Sequence, residues 1–237
     1  MPRIKVVDLS HYNSIPKDLK AAYSQGVRGV IHKCTEGTGW KDSKAAARYF
    51  LAQDAGMLWG LYHFIRQASI DAQVDWFLKN AETMMDENTL LACDWEDSGV
   101  MASEVAEFMA KVRSRSGREP VLYTRTNIVT DQGPANGLDQ YRLWLADYND
   151  PYDLPAGWHA YYLLQYSDGE NGATPNQVQG VNPPVDCNNY LGSDAELART
   201  WVNGDQEPDV NPIPVNISID APQGVQVNVT VNGVAYV

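Results

Sequence analysis

Apolar residues in the first half of this chain fall in short runs, and between the runs they recur every three or four positions. The runs read as strands and the recurring stretches as amphipathic helices. Ile4 to Asp8, Gly29 to Lys33, Leu58 to Phe64, the run Leu90-Leu91-Ala92-Cys93 with the acid pair at its end, and Val121 to Thr124 are the strands. Helices are expected from Pro16 to Gln25, closed by Gly26, and from Ser43 to Ala55, with Asp42 as N-cap and Gly56 just past the end. Two more should run from a Ser69 cap to about Met85 and from Ser103 to Arg115.

Beyond Thr124 the rhythm changes. Leu143 to Asp147, Ala160 to Tyr166 and Val185 to Asn188 read as strands separated by loops rich in Pro, Gly and Asn, with no long helix between them. Ser193-Asp194-Ala195-Glu196 has the form of a capping box that opens a last helix, ending at Gly204. Strand–helix alternation of this length predicts a largely parallel α/β sheet, and eight strands with acids at one rim predict a closed barrel. Residues 1–204 are read as this barrel, 205–214 as a Pro/Asp-rich linker and 215–237 as a short β-rich tail with a hairpin signal at Asn232-Gly233.

Composition narrows the classes. A hydrophobic content of 44% and a charged content of 20% fit a folded globular chain. The net charge of −12 argues against nucleic acid, whose phosphates select basic surfaces. No apolar run is long enough to span a bilayer, and Met1 to Lys5 leads straight into a strand with no signal-peptide core. The expectation is a protein made in the cytoplasm. Cys34, Cys93 and Cys187 lack CxxC spacing and are expected to be reduced, buried thiols, and four scattered histidines suggest no metal. Neither cofactor nor metal is called for.

The chemistry concentrates in Asp94-Trp95-Glu96. Side chains alternate along a strand, so Asp94 and Glu96 share one face while Cys93 and Trp95 share the other. Two like charges at a strand end oppose burial, and a core would not select them for stability. A site that donates a proton and stabilises positive charge would, as a glycosidase does. Other acids fall at the strand ends of the same rim: Asp8, Glu36, Asp147 and Asp186.

Eight ordered segments then carry a resemblance. They are Asp8-Leu9-Ser10-His11-Tyr12, Lys33-Cys34-Thr35-Glu36-Gly37, Gly60-Leu61-Tyr62-His63-Phe64, Asp94-Trp95-Glu96, Leu122-Tyr123-Thr124, Leu143-Trp144-Leu145-Ala146-Asp147-Tyr148, Gln165-Tyr166-Ser167 and Val185-Asp186-Cys187-Asn188. Together they resemble family 25 glycoside hydrolases, the Chalaropsis-type N-acetylmuramidases. The resemblance implies an irregular, flattened (β/α)5(β)3 TIM-like barrel. It implies hydrolysis, with retention, of the β-1,4 bond between N-acetylmuramic acid and N-acetylglucosamine in peptidoglycan. By position Glu96 matches the general acid, expected to be held protonated by Asp94 and partial burial. Asp94 matches the second carboxylate, either a nucleophile or the group that orients the substrate's own 2-acetamido group, with the latter preferred. Asp8 and Asp186 match the remaining cleft acids. Tyr62, Tyr123, Tyr148 and Gln165 match the saccharide groove, and Lys33 and Glu36 are further candidates for substrate binding.

The resemblance further implies an endolysin that attacks the bacterial wall after release through a holin-type route. Trp95 is expected to pack away from the groove, His63 to be a hydrogen-bonded structural residue, and Trp59, Trp76 and Trp201 to be core. Competing readings are a noncatalytic glycan-binding barrel, a chitinase-like acetamido-sugar hydrolase and a virion-associated component. The valine-rich tail raises self-association by strand pairing.

Overall fold

The computed structural model describes residues 3–14, 16, 18–132 and 137–204, and the backbone of 229–231 and 234–236. The apolar runs become β1 (Val6–Leu9), β2 (Gly29–Glu36), β4 (Leu58–Phe64), β5 (Leu90–Trp95), β6 (Val121–Thr124), β7 (Leu143–Ala146), β8 (Leu163–Ser167) and β9 (Asp186–Asn189). A two-residue β3 (Trp40–Lys41), not expected from the sequence, folds back antiparallel on the end of β2. The order β1-β9-β8-β7-β6-β5-β4-β2 closes through pairing of β1 with β2, giving a barrel of eight strands. Neighbours from β1 round to β8 run parallel. β9 runs antiparallel to both β8 and β1.

Helices α1 (Lys20–Gln25), α2 (Ala45–Asp54), α3 (Ile70–Ala81), α4 (Ala102–Ser116) and α5 (Thr126–Gln132) follow β1, β2 with its hairpin, β4, β5 and β6. The first helix is shorter than expected, starting at Lys20 rather than Pro16. α5 was not foreseen. Ser69 caps α3 through its side chain, and α6 (Asp194–Thr200) opens with the Ser193/Glu196 capping box.

Strand parity sorts the core into two layers. Leu91, Cys93 and Trp95 pack outward against the helices with Val74, Phe77, Phe108 and Met109. Leu90 and Ala92 face the barrel interior with Val6, Ile31, Val121 and Trp144, joined by Leu197 from α6 and Trp201 just past its end. The Trp201 indole lies so close to Gly29 that a Cβ there would meet it at 3.0 Å, and its Nε1 donates to the Trp59 carbonyl at 2.7 Å. Gly29 begins β2, so α6 plugs the end of the barrel opposite the strand-end acids.

Trp59, Trp95 and Trp201 are fully buried, as expected. Trp76 departs from that expectation: it is half-buried on α3, and its indole donates to the Trp40 carbonyl. His63 is buried between Thr35 Oγ1 and Gln73 Oε1, the structural role read from the sequence. All three cysteines are buried and unpaired.

Gln206–Val237 forms a separate unit. Within it β10 (Val229–Val231) and β11 (Val234–Tyr236) pair antiparallel. Asn232-Gly233, the linker at 205–214 and the strands expected at 215–219 and 225–228 lie outside the described residues.

Candidate active site

The parallel strands all end at one rim, and β9, running the other way, begins there. Asp8 on β1 therefore pairs in register with Asp186 at the start of β9. Asp94 comes from β5, and Glu96 follows one residue past its end. These acids line a cavity of ≈ 160 Å³ with Tyr62, Tyr123, Arg125, Trp144, Tyr148 and Gln165. The expected catalytic acids and four of the expected substrate-binding residues thus meet in one place.

Beneath the acids runs a buried hydrogen-bond relay. Asn188 Nδ2 and Gln165 Nε2 donate to Asp8 Oδ2 at 2.8 and 3.0 Å. Gln165 Oε1 in turn accepts from the Tyr123 hydroxyl at 3.0 Å and the Tyr148 hydroxyl at 2.9 Å. Trp144 Nε1 donates to Asn188 Oδ1 at 2.6 Å, so the relay is anchored in the barrel core. Gln165 is only 2% exposed, and these bonds fix its orientation.

Burial dominates the electrostatics. It pushes the Asp186 carboxyl up to about 9, reinforced by the charge of Asp8 and the hydrogen bond between them. Asp8 is pushed up to about 6, because donors from Asn188, Gln165 and Asp186 offset much of the same desolvation. Asp186 holds the proton and Asp8 accepts it. Asp94 is raised well above the ordinary carboxylate range, by burial first and then by Glu96, with Lys33 opposing. Its Oδ1 is buried without a hydrogen-bond partner. Burial and the surrounding acids keep Tyr62 and Tyr123 neutral phenols.

Glu96 is arranged differently. Its Oε2 lies 2.5 Å from an Arg125 guanidinium nitrogen. Asp94 is the carboxyl of this strand end that burial raises. Arg125 and Trp144 are the lining residues that the sequence reading did not assign to the site. Arg125 follows β6 in Tyr123-Thr124-Arg125, where a lone cation is indistinguishable from a turn residue. Trp144 lay within a quoted motif, but its strand gave no clue to its inward aim.

Lys33 and Glu36 stand outside the cavity lining. The Lys33 ammonium pairs with Glu36 at 2.6 Å, and Glu36 also takes Arg66 at 2.8 Å. Asp147 serves its own loop, accepting from the backbone N–H groups of Asn149 and Asp153. A second, more open groove of ≈ 600 Å³ adjoins the cavity through the shared residues Arg125 and Tyr148.

Carboxyl groups of unlike protonation, facing one another across a cavity walled by aromatic rings, suit cleavage of a glycosidic bond. The class so defined is that of the glycoside hydrolases. Within it the chain belongs to glycosyl hydrolases family 25, whose profile matches residues 7–174. It is 29% identical to Lysozyme M1 of Streptomyces globisporus over 212 residues, 82% of this chain and 70% of that one. Its fold is similar to the muramidase of Acremonium alcalophilum, with 30% identity and a TM-score of 0.68 over 86% of this chain and 100% of that one. The bacterial lysozyme of Streptomyces coelicolor is similar too, with 26% identity and a TM-score of 0.69 over 84% and 96%.

Proposed function

We propose that this enzyme hydrolyses the β-1,4 bond between N-acetylmuramic acid and N-acetylglucosamine in peptidoglycan, with retention. The observation that carries the reading is the meeting of Asp8, Asp94, Glu96 and Asp186 in one cavity of a family 25 barrel. Glu96 is the general acid, since a sugar alkoxide leaves only as it is protonated. Asp94 orients the substrate's 2-acetamido group, whose carbonyl oxygen attacks the anomeric carbon. Its unpartnered, buried Oδ1 supports this role, because an acetamide N–H would satisfy it.

One proton serves the pair. Burial favours that proton on Asp94. An entering acetamide N–H that donates to Asp94 stabilises the carboxylate there, and glycan drawing Arg125 aside lets the proton pass to Glu96. Protonation of the leaving oxygen then breaks the glycosidic bond and leaves a cyclic oxazolinium. Glu96, now a base, removes a proton from the water that opens it, restoring the original configuration. Asp8, held by Asn188 and Gln165, and the protonated Asp186 shape the field around the developing positive charge. An endolysin role in bacterial lysis belongs to the same proposal, on the sequence resemblance.

The test is digestion of purified peptidoglycan with the enzyme and with Glu96→Gln, followed by mass spectrometry of the new reducing ends. Reducing N-acetylmuramic acid from the parent, reduced by roughly 100- to 10,000-fold in the variant, supports the assignment. Reducing N-acetylglucosamine would reassign the bond, and no new ends despite binding would favour a glycan-binding barrel.

A further inference from the structure

Next to the acids, on the same rim, stands a group of side chains that the reaction does not use. Three residues beyond Asp8, the His11 ring packs tilted against Tyr12 with ring centroids 3.9 Å apart, and Trp40 of the β2–β3 hairpin packs tilted against His11 at 4.8 Å. Tyr12 is 86% exposed and Trp40 37%. Aromatic rings left in water in a contiguous row mark a surface that meets a partner.

The backbone that carries the row is held from within. Arg48 on α2 is fully buried, yet its guanidinium reaches out to the carbonyls of Ser10 at 2.8 Å and Asn13 at 2.7 Å. Lys44 donates to the carbonyls of His11 and Asn13. Asn13 closes the turn by accepting from the Ser10 N–H at 2.8 Å. A buried arginine is a costly way to hold a mere connection. From the other side, Trp76 on α3 donates to the Trp40 carbonyl at 2.8 Å. Beneath the rings, His11 Nδ1 and the buried Asp42 Oδ2 face each other at 3.6 Å, neither with a hydrogen-bond partner.

The row is continuous with the cleft. The Lys33 ammonium lies 5.0 Å from the Trp40 ring centroid and acts electrostatically on Asp94. From Asp8 to Tyr12 the chain spans at most roughly 14 Å. The cavity is bounded by ten lining residues, and a polymeric substrate must extend onto surface outside it.

We propose that His11, Tyr12 and Trp40 form an outer saccharide subsite, a stacking platform for a sugar ring of the glycan strand several units from the bond being cleaved. The proposal rests on the glycan-cleaving reading of the cleft. The pinned loop and hairpin order the platform in advance, so little conformational freedom is lost when a sugar face settles on it. Its contribution is to long strands: a short oligosaccharide that fills the cavity never reaches it.

The test uses the full chain carrying Glu96→Gln, titrated by calorimetry with soluble peptidoglycan-derived oligosaccharides of increasing length. Affinity should rise with length, and Tyr12→Ala should lower the long-to-short affinity ratio by roughly three- to tenfold. Trp40→Ala should do the same, while Tyr12→Phe, which keeps the ring, should preserve the ratio. Phe50→Ala removes a ring that is 67% exposed on α2 and serves as the control that preserves it. A ratio unaltered in both Tyr12→Ala and Trp40→Ala would overturn the platform. Failure of the Glu96→Gln chain to bind any oligosaccharide would overturn the glycan reading and the platform with it.

Discussion

A carboxyl taken out of water is driven towards its neutral form, and burial is the largest influence on Asp8, Asp94 and Asp186 alike. The sign of the effect on stability follows from proton binding. Asp186 has an ordinary value of 3.8 and is pushed up to about 9 in the fold, so between those values the folded chain holds a proton that the unfolded chain has lost. That stabilisation is complete below the lower value and disappears as pH rises through the upper one. Asp186→Asn keeps the hydrogen bond to Asp8 without the titration. It should raise stability by about 1–2 kcal/mol near pH 8, with the advantage fading towards pH 4, while lowering activity. Thermal melts across pH check this, and a gain independent of pH would refute it. Arg125 supplies a second prediction. The Arg125 cation lowers the Asp94 carboxyl, so Arg125→Ala should let Asp94 keep its proton to higher pH, and the alkaline limb of kcat/KM should move upward. An unmoved limb would dissociate Arg125 from the acid. At this scale the acids were legible because two carboxyls at alternate strand positions are hard to explain otherwise. Arg125 was not, because its partner lies across a strand boundary that composition does not reveal.

Elements decide where those residues point, and the least regular pair of strands does the most here. β8 and β9 are joined by a loop without a helix, and β9 must enter at the rim for Asp186 to face Asp8. The loop achieves this by close backbone approach at Gly169, with φ +88°, where an added Cβ would lie 2.5 Å from the Val185 nitrogen. No side chain fits there without moving the residue before Asp186. Gly169→Ala should therefore cost stability, by about 1–3 kcal/mol, and lower kcat as Asp186 shifts. Melting and turnover measured together check it: a stability loss with kcat intact would show that the loop does not position Asp186. Sequence pattern found most strands of the barrel because they are short apolar runs, β9 with its Asp186-Cys187-Asn188-Asn189 being the exception that only its place before the last helix marked, and parity correctly sent Trp95 outward. It missed α5, whose seven residues carry only Ile128 and Val129 as buried apolar contacts, too few to show a helical period. The β2–β3 hairpin escaped for a similar reason, since two exposed residues leave no alternation to read.

At the scale of the molecule, the barrel completes itself. Its strands form a closed ring, α6 places Leu197 and Trp201 in the end opposite the acids, and among the described residues the candidate site draws on those between Asp8 and Asp186. Gln206–Val237 is a separate unit, in which β10 and β11 pair with each other. A hairpin of that size buries too little apolar surface to be stable by itself in water. Its alternating valines match what strand pairing between copies of the chain would use. Ending the chain after Asp205 should therefore leave the melting temperature within about 2 °C of the full chain and the cleavage of short soluble oligosaccharides unchanged. Sedimentation of the two forms separates the roles of the units: if the tail pairs between copies, the full chain should associate with rising concentration while the shortened one remains monomeric. A large fall in melting temperature on shortening would instead make the tail part of the barrel's stability, and equal association of both forms would move the self-contact onto the barrel.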